Sequence, residues 1–554
     1  MTKRRLRKPL SVARLRRERS RENSGKAKEL DLKVPPPRPV EDERDEPLAL
    51  SLDENLHLLK LHLGGSDDVV FRDFRLGNAS ALRAAVVFID GLTNKDQLQR
   101  DLLSPLMIFA HHTAQAECES GLRGFAALKS HLLTVMEVKD VGTVGECVLA
   151  VLSADTVLLL DRTDTALVIG ARTWEHRPIM EAVTERGVRG PRDGFNELFK
   201  SNIALVRQRM KTPSLRVKFA CIGRRSQTNL AILYDSGLAS PAILTELYKR
   251  LSYIDVDGIL DSGYIEQYIE DSPYSPFPQV QFTERPDRVA AAIMEGRVAL
   301  IVDGTPFAIL VPSVLSNFLP TSEDHYERWL VMTGVRFVRA MSIIMAVLLP
   351  ALYVAVTTFH QEMIPSQLAL TIAGARAGVP FPAVVEALMM EVTFELLREG
   401  GIRVPGTVGT TIGIVGGIII GQAAVTAGLV SPVMVVVVAL TAIGSFAVPA
   451  FNVGLSLRLL RFPLILLAGT LGLYGVLAGV IAVVLHLVSL KSFGVPYLSP
   501  LAPSDNQGLK DTLIRAPLWA QLLRPGMFEP RQKRRIGRPA YVQHPPGGED
   551  DGDA

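Results

Sequence analysis

Residues 340–359 read AMSIIMAVLLPALYVAVTTF. As a helix, 20 consecutive uncharged residues rise about 30 Å, the thickness of a bilayer's hydrocarbon core. Pro350 falls inside the run, and a spanning helix tolerates it when neighbours satisfy the freed carbonyl. Three further stretches, 408–429, 432–451 and 462–488, are also free of Asp, Glu, Lys and Arg. Arg328, Arg336 and Arg339 precede the first run, which puts the preceding chain on the cytoplasmic side. Four spans return the basic RQKRR at 531–535 to that side. Arg376, Arg398 and Arg403, or Arg458 and Arg461, then lie opposite, and a fifth, re-entrant pass accommodates them.

The rest of the chain is written for water. The 554 residues are 48% hydrophobic and 21% charged, a mixture that suits two solvents rather than one. The net charge of +3 is uninformative, because the basic excess sits in MTKRRLRKPLSVARLRRERSR at the start. No apolar segment follows this arm, so it does not read as a secretory signal. It reads as a solvated tail, or as an attachment to anionic headgroups of membrane lipid. It has no aromatic side chain to stack on bases, so no nucleic-acid partner is expected. Cys118, Cys147 and Cys221 form no CxxC pair; an odd, widely spaced set suits small core side chains in a reducing cytosol.

Five regions follow: a basic arm and Pro-rich linker (1–47), an α/β subdomain (48–150), a second α/β subdomain (151–325), a helical membrane domain (326–490) and a polar cytoplasmic tail (491–554). LRAAVVFIDGL reads as a buried strand, KDQLQRDLLSPLMIF as a helix, and VLLLDRTDTALVIGAR as a hairpin turning around 162–165. A helix opens at Ser240 with Pro241 in its first position. RVALIVDGTPFAILVP is apolar, but Asp303-Gly304 divides it into two runs too short to span. No repeat of solenoid length is visible. The fold class is thus a two-subdomain α/β cytoplasmic region, then an integral membrane domain of about 4–5 transmembrane helices with an amphipathic or re-entrant helix.

Two patterns stand out in the membrane half. Gly409, Gly413, Gly417 and Gly421 recur every four residues, so they share one helix face and permit close helix packing. That packing serves one subunit, an interface between subunits, or a conduit. The second pattern is VVEALMMEVTFELLREGG. Pro382 can open this helix and Gly400-Gly401 can close it. Glu391, Glu395, Arg398 and Glu399 fall within an arc of about 100°, while Glu386 lies opposite near the start. Charges facing lipid cost ~2.5–3.5 kcal/mol each on insertion scales. Two readings answer this: an interfacial helix with an internal Glu395–Arg398 pair, or a ring of carboxylates from several subunits, with Glu391, Glu395 and Glu399 lining a cation path. No HExxH, P-loop, GxSxG or strand–helix GxGxxG occurs. His111-His112 with Glu117 and Cys118 lacks further residues at ligand spacing. No enzyme, metal or cofactor is expected.

HQEMIPSQL, RAGVPFP, ELLREGGIRVPGTVG, TIGIVGGIIIGQAAV, ALTAIGSFAVP, RLLRF and SFGVPYLSP occur in that order. Upstream stand RGPRDGFNE, LVRQRM, DGILDSGYIEQYI, ERPDRVAAAIMEGRVALIVDGTPFAILVP and EDHYERW. Together they resemble the A subunit of GerA-type spore germination receptors over residues 50–503. The resemblance implies the spore inner membrane, an oligomeric and ion-conducting subunit, a transporter-like B subunit that senses nutrient, and a lipoprotein C subunit. A non-conducting assembly subunit, or a sporulation-stage homologue aiding ion or dipicolinate release, is the alternative. Two departures occur: Arg398-Glu399-Gly400-Gly401 where the family has Arg-Glu-Ala-Gly, and Asp193-Gly194-Phe195 where it has Glu-Gly-Phe. Asp193 is expected to cap the helix that follows, with Arg189 and Arg192 projecting as subunit contacts.

Overall fold

Short continuous apolar runs, buried on both faces, build the central strands of two sheets in turn. The computed structural model describes residues 46–76, 82–106, 138–171, 181–182, 184–185, 187–403, 417, 419–512 and 514–535. The first unit contains α1 (Leu52–Leu63), β1 (Val69–Leu76), β2 (Leu82–Ile89), β3 (Val138–Val141), α2 (Val144–Leu152), β4 (Thr156–Leu160) and β5 (Ala166–Ile169). Its strands run β1-β2-β4-β5-β3, every neighbour antiparallel. With side chains alternating along a strand, Ala85, Val87, Val157 and Leu159 meet α1 and α2, while Ala84, Val86, Leu158 and Leu160 meet Leu98, Leu102 and Leu106 on the other face.

The second unit contains α3 (Phe199–Arg209), β6 (Leu215–Ile222), β7 (Thr228–Asp235), α4 (Pro241–Ser252), α5 (Ser262–Ile269), β8 (Gln281–Thr283), α6 (Pro286–Met294), β9 (Val298–Val302) and β10 (Ala308–Val311). Its order is β6-β7-β9-β10-β8, again antiparallel throughout. This is the first sheet's topology repeated strand for strand. The repeat is short in sequence: Asp161, Thr163 and Ala166 of the first hairpin stand at the same spacing as Asp303, Thr305 and Ala308 of the second, and strand pairing makes the correspondence plain. The β4–β5 hairpin also moves a boundary: residues 156–169, assigned to the second subdomain, complete the first sheet. The two units are joined by a buried ion pair. Arg207 of α3 donates from Nε and Nη2 to Asp68 at 2.8 Å each and from Nη2 to Ser66 at 2.7 Å.

Apolar helices follow: α7 (Trp329–Phe359), α8 (Ser366–Arg376), α9 (Ala383–Arg403), α10 (Pro432–Phe446), α11 (Phe451–Leu471) and α12 (Leu473–Ser489). Among the described residues, α7 and α11 are long and apolar enough to cross a membrane; α10 and α12 are shorter apolar helices. The predicted run 462–488 is not one helix. Gly472, at φ 64°, breaks it, a backbone conformation that glycine adopts without steric cost. α11 and α12 fold back on each other, with Gly475 against Leu467 and Gly479 against Leu464. Nor do Gly400-Gly401 end α9, which continues to Arg403. The bundle core is Ala351, Val354, Ala387, Met390, Met434, Val438, Leu464 and Ala468.

The chain after α12 is no free tail. A two-stranded turn, β11 (Lys491–Ser492) with β12 (Val495–Pro496), docks on the second sheet unit. There Ser492 donates to the Gln279 carbonyl at 2.7 Å and Tyr497 to the Pro278 carbonyl at 2.8 Å. Phe493 joins the core between that sheet, α4 and α5. Residues 505–535 continue as a strap: Asp511 binds Arg336 at 2.9 Å, and Arg524 donates to the Met294 carbonyl at 2.8 Å. The expected polar tail is therefore structured and held as far as Arg535.

Candidate functional site

The acidic helix α9 packs one face into the bundle core, and two of its carboxylates are answered by another helix. Glu391 Oε2 sits 3.1 Å from Arg461 Nη1, and Glu395 Oε1 sits 2.8 Å from Arg458 Nη1. Both arginines belong to α11. Two antiparallel helices bring i,i+4 carboxylates opposite i,i+3 guanidiniums, so the pairs form rungs one turn apart. Arg398, one turn further along, donates to Ser445 Oγ at 2.8 Å and lies over the Phe446 ring at 4.7 Å. Glu395 thus reaches across to α11 rather than along α9 to Arg398, and Glu391 is only 5% exposed within this chain.

At the opposite end of α9, Glu386 is fully buried; it accepts the Ser431 N–H at 3.0 Å and lies 3.2 Å from Arg376. Glu386 thus fastens α9 to α8 and to the start of α10. These contacts fix directions. α7 leaves the second sheet unit, α9 and α10 run back toward it, α11 leaves and α12 returns.

The Glu391–Arg461 rung is incompletely satisfied. Glu391 Oε1 and Arg461 Nε and Nη2 are buried and find no hydrogen-bond partner among the described residues. A buried charge pair with unpaired polar atoms gains little stability from its own geometry. Below the rungs, the segment 271–278 of the second sheet unit grips the hairpin of α11 and α12. Ser275 Oγ lies 2.9 Å from His486 Nε2, and Ser456 Oγ donates to the Pro276 carbonyl. Phe277 packs with Val453 and Leu490.

The Bacillus/Clostridium GerA spore germination protein family matches residues 57–527. The chain belongs to that family. It is similar to the uncharacterized membrane protein YfkQ of Bacillus subtilis (strain 168), 42% identical over 490 residues, 88% of this chain and 93% of that one. It is also similar to spore germination protein KA of Bacillus subtilis (strain 168), 42% identical over 498 residues, 90% of each chain. Among solved structures, the N-terminal domain of the A subunit of the Bacillus megaterium spore germinant receptor GerK3 is 31% identical, with 49% of this chain and 98% of that chain covered at a TM-score of 0.37.

Other candidate residues of this GerA chain have local partners. Of the glycine face, Gly409 and Gly413 lie outside the described residues; Gly417 neighbours Phe394 of α9, and Gly421 neighbours Val435 of α10. The described half of the stripe therefore packs within the chain. A tighter approach falls at Gly444, where an added methyl would meet the Ser342 carbonyl of α7 at 2.8 Å. No spacing pattern pointed to it, because a lone glycine carries no period. Glu399 is an exposed residue of α9. Arg189 reaches Glu327 at 3.4 Å and Arg192 reaches Glu181 at 3.2 Å. Asp193 does not cap α3, whose N-cap is Leu198; it binds Arg209 in the last turn of that helix.

Cys147 is buried, and burial pushes its thiol up to about 12. Cys221, expected in a core, is exposed. His111, His112, Glu117 and Cys118 lie outside the described residues, among which no group of three or more His, Cys, Asp or Glu is placed to hold a metal ion.

Proposed function

We propose that this GerA-family chain is the A subunit of a nutrient germinant receptor. In this reading α7 and α9 to α12 are held in the spore inner membrane, with the sheet units on the cytosolic side. It works beside a transporter-like B subunit and a lipoprotein C subunit, as a homo-oligomer that passes monovalent cations on activation and carries out no catalytic step. One observation carries the proposal: carboxylates on α9 are held by guanidiniums on α11, and α11 is gripped at its base by the second sheet unit. Paired this way, Glu391 is buried away from a permeating cation, and the half-exposed Glu395 has its charge answered by Arg458. Separating α9 from α11 would free both carboxylates along one face. The sheet unit supplies the lever, through residues 271–278.

The same pairing supports a second reading, in which the ladder is a permanent brace and the subunit conducts nothing, serving only to hold its partners. Cation flux separates the two. Full-length protein reconstituted in liposomes, with partner subunits, is assayed for monovalent cation release. The conducting reading expects Arg458→Gln plus Arg461→Gln to raise basal release, and Glu391→Gln plus Glu395→Gln to abolish triggered release. Equal traces from both variants and the parent would leave the brace.

A further inference from the structure

The strap that follows α12 presents an apolar face that is partly exposed. Ile514, Leu518, Trp519, Leu522 and Leu523 are all exposed, from 62% at Ile514 to 37% at Leu523. They come from a short stretch whose polar groups are turned inward. Arg515 is buried and donates to the His325 carbonyl at 3.0 Å, and Gln521 donates to the Ala516 carbonyl at 3.1 Å. Burying the polar side chains while exposing leucines and a tryptophan reverses the usual arrangement of a water-facing segment.

Two further observations say what covers this face. The first is its height. The Arg515 N–H donates to Thr333 Oγ1 of α7 at 3.2 Å. Thr333 lies seven residues before Ala340, where the uncharged run begins, or about 10 Å along a helix. The headgroup layer flanking a ~30 Å hydrocarbon core is roughly 5–8 Å deep. The strap is thus tied to α7 at the outer edge of the headgroup layer, within a side chain's reach of the headgroups. The second is charge. Residues 531–535 turn back beside the leucines, the Lys533 carbonyl accepting the Arg524 N–H at 2.8 Å and the Arg535 N–H bonding to the Leu522 carbonyl at 2.9 Å. Exposed Lys533 and Arg534 therefore flank the apolar face. Tryptophan and leucine rimmed by basic side chains match a membrane surface, where the rings sit at headgroup level and the cations meet anionic lipid.

We infer that the strap at 514–523 is an interfacial anchor that seats on the anionic lipid surface of the membrane crossed by α7. This rests on the membrane reading of the helices proposed above. In place, the anchor fixes the second sheet unit against the bilayer beside the start of α7. The unit can then pivot on the strap while residues 271–278 move the hairpin.

Tryptophan fluorescence tests it on the full-length chain in vesicles of phosphatidylcholine and phosphatidylglycerol. Trp174→Phe plus Trp329→Phe leaves Trp519 as the reporter. Its emission is expected to be quenched by lipids brominated near the headgroup more than by lipids brominated deep in the tails, and to be shielded from aqueous iodide. Replacing phosphatidylglycerol with phosphatidylcholine should reduce the shielding. A parallel variant, Trp519→Phe with Leu352→Trp in the same background, reports on α7 and should be quenched by deep bromines. If that reporter is quenched while Trp519 answers only to iodide, the anchor is refuted and the membrane reading stands. Trp519 shielded from both bromine and iodide would mean a protein contact and equally refute the anchor. An unquenched Leu352→Trp reporter would remove the membrane reading and the anchor with it.

Discussion

Replacing Arg461 with methionine removes one side of the Glu391–Arg461 rung and leaves the other buried. Two unit charges about 4 Å apart attract by about 4 kcal/mol at an effective dielectric of ~20. Glu391 is 5% exposed, so bulk water replaces the lost partner poorly. The single variant should therefore lose about 3–5 kcal/mol, the range for breaking a buried pair, and Glu391→Leu should lose a similar amount. The double variant behaves differently. The pair makes one contact at 3.1 Å and leaves Glu391 Oε1 and Arg461 Nε and Nη2 unpartnered among the described residues. An apolar pair of similar size forfeits little and avoids desolvating both ions, so Glu391→Leu plus Arg461→Met should return to within about 1–2 kcal/mol of the parent. Reversible unfolding in mixed detergent micelles, followed by helical circular dichroism, gives the four free energies of the cycle. The reasoning is refuted if the double variant loses the sum of the two singles, because additivity is the mark of residues that do not interact.

Three further outcomes are expected. Gly444→Ala should weaken the contact of α10 with α7, since the added methyl meets a backbone carbonyl at 2.8 Å, whereas Gly417→Ala, with 3.7 Å to Phe394, should be tolerated; thermal midpoints of the purified variants rank them. Burial, then Glu270 and Asp261, pushes the Glu266 carboxyl up to about 7. The folded state then binds this proton more tightly than the unfolded chain, so stability falls as pH rises from the ordinary ~4.5 to 7. At ~1.4 kcal/mol per tenfold change in acidity the loss is at most about 3 kcal/mol, and Glu266→Gln should raise the melting midpoint at pH 8 while leaving it unchanged at pH 4. At Asp324, burial pushes the carboxyl up but is outweighed by Arg339, Thr321 and Arg336, which hold it at about 2. That stability is present above the ordinary ~3.8 and is lost as pH falls through 2; Asp324→Asn should cost about 2 kcal/mol at pH 7, more if buried Arg336 is left under-paired, and the deficit should shrink on acidification.

Much of the fold could be read from periodicity. Paired apolar runs about a turn locate the β4–β5 and β9–β10 hairpins, and Asp303-Gly304 argues against a span there, where the structure places two strands. What escaped reading depends on partners far apart in sequence. The boundary at 150 failed because β4 and β5 pair with strands on both sides of a long insertion. The run 462–488 looked continuous because Gly472 interrupts conformation without interrupting hydropathy. The site is half legible: the acidic arc on α9 stands out, but Arg458 and Arg461 read in the sequence only as charges on the far side of the membrane. Their signal was present in complementary spacing, four residues between Glu391 and Glu395 against three between Arg458 and Arg461. Such spacing is informative only once two helices are known to be antiparallel neighbours.

The docking of residues 491–497 beside the strands that lead into α7 has a mechanical result. The first and the last helix of the bundle are rooted in the same block, like both handles of a tool in one hand. A tilt of that block is delivered to the two outer members simultaneously, while α9, with no such root among the described residues, stays behind. The shear this creates is taken up between α9 and α11, where two pairs of opposite charges span the sliding surface.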